Sequence, residues 1–256
     1  MPLRVDRKDL HVAIGDLGGV GGGGGGGGSG SGGVTGEEGE GREDSFIIDR
    51  RASADDPAAY PKSEGWKLDG SDCCLWDGIE RDDITGNVIG LDLSSSCLYG
   101  SINSSSSLFQ LLHLRTLNLA YNHFNHSHIL SAFGHLQNLV HLNLSYSWFS
   151  GPIPSSISNL SKLSSLDLST YYRFQLKTNS DFKTLLTKLG NLQVLHLDRV
   201  DMSSSVPNDI LAISSSLASL SLEGCNLQGE FPTRIYQFPK LEVLRLPFNR
   251  ISQVTC

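Results

Sequence analysis

The stretch LRTLNLAYN, residues 114–122, decides how this chain folds. Its central leucines, Leu117 and Leu119, alternate with polar residues, which is the period of a short strand that buries one face. Leu114 and Asn122 complete the pattern L-x-x-L-x-L-x-x-N. A segment of this kind buries its leucines only against neighbouring copies of itself.

The same pattern recurs along the chain at a nearly constant interval. The first leucines of the central pairs are Leu91, Leu117, Leu142, Leu166, Leu195, Leu220 and Leu244. They are separated by 26, 25, 24, 29, 25 and 24 residues. This spacing is typical of a leucine-rich repeat, in which each repeat forms one coil of a solenoid. We expect an α/β solenoid whose short parallel strands form one concave face.

Two further positions of the repeat predict local structure. Asn122 and Asn249 are expected to hydrogen-bond backbone groups of neighbouring coils, with the smaller Ser96 and Cys225 in their place elsewhere. The second half of several repeats follows L-x-G-x-I-P, as in the segment 149–154, FSGPIP. Because proline fixes φ and glycine permits tight turns, the convex side should be extended or 3-10 rather than long helix.

Composition divides the chain into unequal parts. Of 28 glycines, 17 lie in residues 1–42, and residues 21–28 are all glycine. We interpret residues 1–42 as a disordered head, 43–87 as an incomplete N-terminal cap and 88–256 as about seven coils. The net charge of −7 disfavours a nucleic-acid binder or a polybasic membrane-surface protein. No membrane span or export signal is visible.

The segment before the first coil resembles a known type of cap. Trp66, the pair Cys73-Cys74, the run Trp76-Asp-Gly78 and Gly86 are similar to the N-terminal cap of plant receptor-like proteins, the kinase-less relatives of leucine-rich-repeat receptor kinases. The resemblance covers residues 46–256. It implies a plant-type right-handed superhelix at the cell surface, on the extracellular side of the plasma membrane. The implied partners are a peptide or pathogen-derived ligand and a partner receptor kinase.

The cap departs from the family at its cysteines. Arg81 stands where the family places the last cysteine of the cap motif, and an acidic, glycine-rich segment replaces the family's Cys-bearing first helix. Both usual partners of Cys73 and Cys74 are therefore missing, so we expect a loosened cap. The alternative is that both are reduced cytosolic thiols. Cys97 and Cys225 are interpreted as buried packing residues.

The seventh repeat ends at Cys256 with no polar capping repeat after it. We therefore expect the last coil to expose its apolar side and its strand edge. This suggests a truncated ectodomain or an incomplete gene model.

Exposed positions on and beside the strands are the candidate ligand-binding residues, since aromatic, histidine and arginine side chains there can anchor a partner. They are Arg115, Thr116, Asn118, Tyr121, His141, Asn143, Tyr146, Asp167, His196, Asp198, Arg199, Glu223 and Arg245. The alternative is that each is only a solvated strand residue. An insertion that contains the segment 171–177 lengthens one interval and is either part of this surface or a tolerated loop expansion.

Four N-x-S motifs are candidate glycosylation sites, at Asn103, Asn125, Asn143 and Asn159. A glycan on Asn143 would obstruct the concave face. The histidines of the segment 123–128, HFNHSH, lack an accompanying ligand of recognisable spacing, so we predict no metal. The poly-glycine run lacks the strand, helix and Lys-Ser/Thr of a phosphate loop, so no cofactor is expected. No catalytic motif is present, so we predict no enzyme activity.

Three functions follow from these features. The first is non-catalytic recognition of a protein or peptide, in defence or developmental signalling, by part of a receptor-like protein. The second is a secreted inhibitor resembling the plant proteins that block fungal polygalacturonases, which have about ten repeats and intact caps. The third is a truncated fragment with no function.

Overall fold

A computed structural model describes residues 46–66, 76–171, 176–178, 182–203 and 207–252. The glycine-rich head, Cys73, Cys74 and Cys256 lie outside these residues, as does most of the insertion after Tyr171. The strands are β1 Phe46–Ile48, β2 Ile79–Arg81, β3 Val88–Asp92, β4 Leu98–Gly100, β5 Thr116–Asn118, β6 His141–Asn143, β7 Gly151–Pro152, β8 Ser165–Asp167, β9 Leu176–Lys177, β10 Val194–His196, β11 Ser219–Ser221, β12 Gln228–Glu230, β13 Val243–Arg245 and β14 Arg250–Ser252.

One sheet organises the described residues. Seven strands, one from each repeat, run parallel in the order β3, β5, β6, β8, β10, β11 and β13, and β2 pairs antiparallel with β3 at the edge. The register aligns the first leucine of every repeat with that of the next, from Leu91 through to Leu244. All seven predicted strands are therefore confirmed, and at the usual spacing between strands the ladder is about 29 Å across.

The aligned leucines form the core. In the second repeat Leu114, Leu117 and Leu119 are fully buried, and the equivalent leucines of the next four repeats are buried as well. Burying such a side chain contributes about 1.5–3 kcal/mol relative to exposure, so the repeated leucines dominate the stability of the stack. Burial weakens in the seventh coil, where Leu244 is only partly buried and Phe248 is 70% exposed.

The asparagine of the repeat joins neighbouring coils. The side-chain Oδ1 of Asn122 accepts hydrogen bonds from the backbone N–H groups of Ser96 (3.2 Å) and Leu98 (3.0 Å) in the preceding coil. Its Nδ2 donates to the carbonyls of Leu93 (2.7 Å) and Leu119 (3.0 Å). One buried side chain thus satisfies backbone groups of two coils, as predicted.

The serine and cysteine that replace asparagine make some of the same hydrogen bonds between coils. The Ser147 hydroxyl donates to the Leu119 carbonyl at 2.7 Å, and the Cys225 thiol donates to the Leu197 carbonyl at 3.0 Å. Each of these side chains has fewer polar groups than asparagine, so each satisfies fewer backbone groups. Cys97 and Cys225 are both buried and form no disulfide, which confirms their assignment as packing residues.

The convex side consists mainly of short helical turns, as predicted. The 3-10 segments are Arg50–Ser53, Lys62–Gly65, Ser107–Gln110, Ser131–His135, Ser155–Asn159, Pro207–Ala212 and Thr233–Gln237, and among the described residues one α-helix occurs, α1 (Phe182–Lys188). Adjacent segments pack closely: a Cβ on Gly134 would lie 2.4 Å from the Ser156 carbonyl oxygen, so only glycine fits there. Three two-stranded pairs, β1–β4, β7–β9 and β12–β14, complete the coils.

The segment before the first coil closes one end of the stack. Trp66 and Trp76 stack with their ring centroids 5.6 Å apart, and the Trp66 indole donates to the Asp77 carbonyl at 3.1 Å. Arg81, which stands at the position of the family's cysteine, donates from Nε to the Gly86 carbonyl at 2.8 Å. The arginine therefore closes a local turn by hydrogen bonding.

Replacing Asn122 tests the hydrogen bonds between coils. In Asn122→Ala, buried N–H and C=O groups of two coils lose their partner, so we expect the free energy of unfolding to fall by at least about 2 kcal/mol. The matched control is Asn138→Ala, which removes two exposed bonds, one donated to the Leu112 carbonyl at 2.8 Å and one accepted from Lys162 Nζ at 2.6 Å. Urea unfolding of both variants gives the comparison, and equal losses would contradict this role of Asn122.

Candidate recognition surface

Strand register places several predicted site residues in one row across the concave face. Asn118 pairs with Asn143, Asn143 with Asp167, and Asp167 with His196. Two strands further, Arg245 continues the row through Ser221. All these predicted residues are exposed or partly buried, because the alternation that buries the leucines turns the intervening side chains outward.

A second row lies beside the first. Thr116 pairs with His141, and His141 is exposed. Arg115 lies apart from both rows, at the edge of the sheet where the strands begin. There it lines a cavity of about 380 Å³ together with His113, Asn138 and Lys162.

The remaining predicted residues lie in the turns that follow the strands. Tyr121, Tyr146 and Arg199 occupy equivalent positions and share a left-handed backbone, with φ values of 59°, 54° and 65°. Asp198 precedes Arg199, and its carboxylate accepts hydrogen bonds from the Ser221 hydroxyl (2.6 Å) and the backbone N–H of Glu223 (2.8 Å). Because this backbone conformation recurs in successive coils, side chains at this position stack in a column at one edge.

The structure also reveals aromatic residues that the sequence interpretation missed. Tyr171 continues the column of Tyr121 and Tyr146, while His123 and Trp148 form a second column beside it. Spacing was the available signal, since Tyr121, Tyr146 and Tyr171 are each 25 residues apart, as are His123 and Trp148. The sequence prediction placed Tyr171 in the insertion, as either part of this surface or a tolerated loop expansion.

Nearby charges and partial burial shift the pKa of titratable groups on this surface. The Asp167 carboxylate, with Oδ2 3.7 Å from Nδ1 of His196, raises the pKa of that histidine against the opposing effect of partial burial. Partial burial, with a smaller effect from nearby carboxylates, raises the pKa of Tyr121 and Tyr146. Both tyrosines are therefore neutral phenols over the physiological pH range.

Asp167, His196 and Ser219 follow one another on adjacent strands in the order of a hydrolase triad. His196 Nε2 lies 2.9 Å from the Ser219 hydroxyl, but the histidine–aspartate distance of 3.7 Å is too long for a hydrogen bond. The Ser219 backbone N–H donates to the Gln193 carbonyl at 2.9 Å and is not available to an oxyanion. The three groups thus form a polar contact across strands and lack the geometry of a nucleophilic site.

The four candidate glycosylation sites differ in their surroundings. Asn125 and Asn159 are exposed, and Asn103 is partly buried. Asn143 lies on the concave strand β6, where its Oδ1 accepts from the Ser145 backbone N–H at 3.0 Å. Asn103 makes a bond of the same kind, since its Oδ1 accepts from the Ser105 backbone N–H at 2.8 Å.

Two kinds of feature are absent from the described residues. No helix within them has the length and apolar character needed to cross a bilayer. In the same part of the chain, no three His, Cys, Asp or Glu side chains are grouped so that they could hold a metal ion.

Known proteins resemble this chain in sequence. The family model described as Leucine Rich Repeat matches residues 113–136 and 138–160. Receptor-like protein 6 of Arabidopsis thaliana is 44% identical over 199 residues, which cover 76% of this chain and 20% of that protein. The chain thus spans about a fifth of the length of this relative.

Solved structures share the fold. A plant ice-binding protein is 26% identical, with a TM-score of 0.59, over 80% of this chain and 62% of that one. The crystal structure of PEPR1-AtPEP1 is 25% identical, with a TM-score of 0.53, over 75% of this chain and 26% of that one.

Replacing His196 tests the interaction with Asp167. A histidine whose pKa is raised by folding stabilises the fold fully below its unfolded pKa of about 6.5, and this stabilisation is lost as pH rises through the higher native pKa. We therefore expect His196→Gln to lower the free energy of unfolding at pH 5.5 by up to about 1 kcal/mol more than at pH 8.5. Urea unfolding at both pH values measures this.

The control for this experiment is His141→Gln, which changes an exposed histidine two strands away. We expect the same small effect of this variant at both pH values. An equal effect of His196→Gln at pH 5.5 and pH 8.5 would contradict the interaction.

Proposed function

Because the chain is a plant leucine-rich-repeat protein of the receptor-like type, we propose that it recognises a protein or peptide ligand without catalysing a reaction. The ligand would be a peptide of plant or pathogen origin. Recognition would take place at the cell surface, and the signal would pass to a partner receptor kinase. The candidate glycosylation motifs support export, since glycosylation of this kind occurs on secreted proteins.

The observation that carries this proposal is the in-register concave face. Two rows of outward side chains cross adjacent strands, and they mix amide, imidazole, carboxylate and guanidinium groups. An extended polypeptide fits such a surface, because its side chains and backbone can engage successive strands along its length. Solenoids use their concave faces in this way.

The similar proteins support the same function. The Arabidopsis relative is named a receptor-like protein, and PEPR1-AtPEP1, by its name, joins PEPR1 with a second molecule. Because the chain spans about a fifth of this relative, the ligand and the partner kinase are proposals.

Peptide selection tests the proposal on the full chain. We expect a random 12-residue peptide library, selected on the immobilised protein, to yield binders whose affinity is measured by fluorescence anisotropy at 150 mM salt. In His141→Glu, which places a charge on the concave face, these peptides should bind about tenfold more weakly, the loss expected when an interface anchor is replaced.

A second histidine provides the matched control. His135 is exposed on the 3-10 segment Ser131–His135, outside the concave sheet. His135→Glu carries the same change of charge and should leave the affinity unchanged. Equal losses in both variants, or no selectable peptide, would exclude peptide recognition by the concave face.

A further inference from the structure

A surface patch of stacked rings lies along the edge of the sheet where the strands end. We call it the aromatic band and define it by two columns: Tyr121, Tyr146 and Tyr171 in one, and Tyr99, His123 and Trp148 in the other. Each column takes one ring from each of three successive coils. The stacking of successive coils therefore brings these rings together.

The rings of the band contact one another continuously. Centroids of Tyr121 and Tyr146 are 5.1 Å apart, and those of Tyr146 and Tyr171 are 4.9 Å apart. In the second column His123 stacks on Trp148 at 4.6 Å with an interplanar angle of 15°. Trp148 lies 6.3 Å from Tyr171 and joins the two columns.

The band is a surface and not part of the core. Tyr121 is 36% exposed, and the other five rings are partly buried. The leucines and phenylalanines of the same coils, such as Phe124 and Phe149, are buried beneath it. The outward faces of these rings therefore offer contact area to a partner.

Carboxylates surround the tyrosine column. After the larger effect of burial, the charge of Asp55 raises the pKa of Tyr171, and the charges of Asp198 and Asp167 raise the pKa of Tyr146. Asp56 accepts a hydrogen bond at Oδ2 from the Ser95 hydroxyl at 2.5 Å. After burial and Asp167, its charge also raises the pKa of Tyr121.

The N-terminal segment supplies two of these charges. Ser53 holds this segment against the second coil, since its hydroxyl donates to the Tyr121 carbonyl at 2.5 Å and accepts from the Cys97 backbone N–H at 3.1 Å. Asp55 and Asp56 follow directly and so lie beside the aromatic band. The cap segment and the repeats thus build this surface together.

Positive charge near the column comes from Arg199 and, at Asp56, from Lys62. The charge of Arg199 opposes the rise in the pKa of Tyr146, and its Nη1 donates to the Tyr171 carbonyl at 2.8 Å. The lysine salt bridges found among the described residues lie elsewhere, at Asp92 and Asp209. In that part of the chain, the four carboxylates beside the tyrosines form no salt bridge with a lysine or arginine. The surface therefore combines exposed rings with negative charge.

We propose that the aromatic band, with Asp55 and Asp198 beside it, binds a lysine- or arginine-containing segment of a peptide ligand. The aliphatic stems of such side chains pack on aromatic rings while their charged ends reach the carboxylates. A neutral or acidic segment would gain the ring contacts without the charge pairing. This inference rests on the proposed function, because it assigns a ligand chemistry and an anchoring edge to the same recognition surface.

Two synthetic peptides of equal length test the ligand chemistry on the full chain. Isothermal titration calorimetry would compare the amide of Arg-Gly-Lys-Gly-Arg with that of Glu-Gly-Glu-Gly-Glu at 50 and 150 mM salt. We expect the basic peptide to bind at least tenfold more tightly at 50 mM salt, with a smaller margin at 150 mM because salt screens exposed charges. Equal binding of the two peptides would overturn the proposal.

Two aspartate variants locate the site. Asp55→Asn should weaken binding of the basic peptide about three- to tenfold. The control is Asp83→Asn, which makes the same change of charge on an exposed residue of the turn after β2 and should leave binding unchanged. Both positions are exposed, so neither substitution disturbs the core. Equal effects of the two variants would assign the binding to overall charge and overturn the site.

A ring variant separates binding from packing. Tyr146→Leu keeps an apolar side chain but removes the ring, and we expect it to weaken binding of the basic peptide at least fivefold while circular dichroism stays unchanged. A Tyr146→Leu protein that folds and binds normally would show that the rings only pack. Binding of cellohexaose, measured in the same way and lost in Tyr146→Leu, would assign the band to sugars and also overturn the proposal.

The library-selected peptides distinguish this inference from the proposed function. If those peptides bind and depend on His141 while the basic and acidic peptides bind equally, the inference fails and the proposed function stands. If neither the selected peptides nor the basic peptide binds, both fail.

Discussion

Every coil of this protein must satisfy the backbone polar groups that its turn buries against the next coil. Asn122 does so with one amide, which accepts from two N–H groups of the preceding coil and donates to carbonyls of both coils. An unsatisfied buried group costs about 1–3 kcal/mol, so the turn after each strand has little freedom. The constant geometry of these turns keeps seven strands in register.

The same constraint organises the surface. Since each turn repeats the last, residues at one position of the repeat stack at one edge of the sheet. Tyr121, Tyr146 and Arg199 therefore share a left-handed backbone, and the first two stack directly. The need to satisfy buried backbone groups thus also fixes where the exposed side chains of each turn lie.

Parallel strands also give the two edges of the sheet different chemistry. Strand beginnings gather at one edge, where Arg115, His113 and Lys162 line a cavity together with Asp82. Strand ends gather at the other, where aspartates accompany stacked aromatic rings. A ligand that lies along the strand direction would contact both edges. The distribution of charge along such a ligand would therefore affect how it binds.

The sequence alone determined the coil. The Leu-x-Leu alternation and the period near 25 residues predicted all seven strands, their parallel arrangement and the short turns of the convex side, because these depend on local patterns. The row from Asn118 to His196 was predictable for the same reason. Only the tertiary structure decided which side chains of distant repeats meet. The charge of Asp55 raises the pKa of Tyr171, which lies 116 residues further along the chain. The sequence could not predict this proximity, because the packing of the N-terminal segment against the coils leaves no periodic signal.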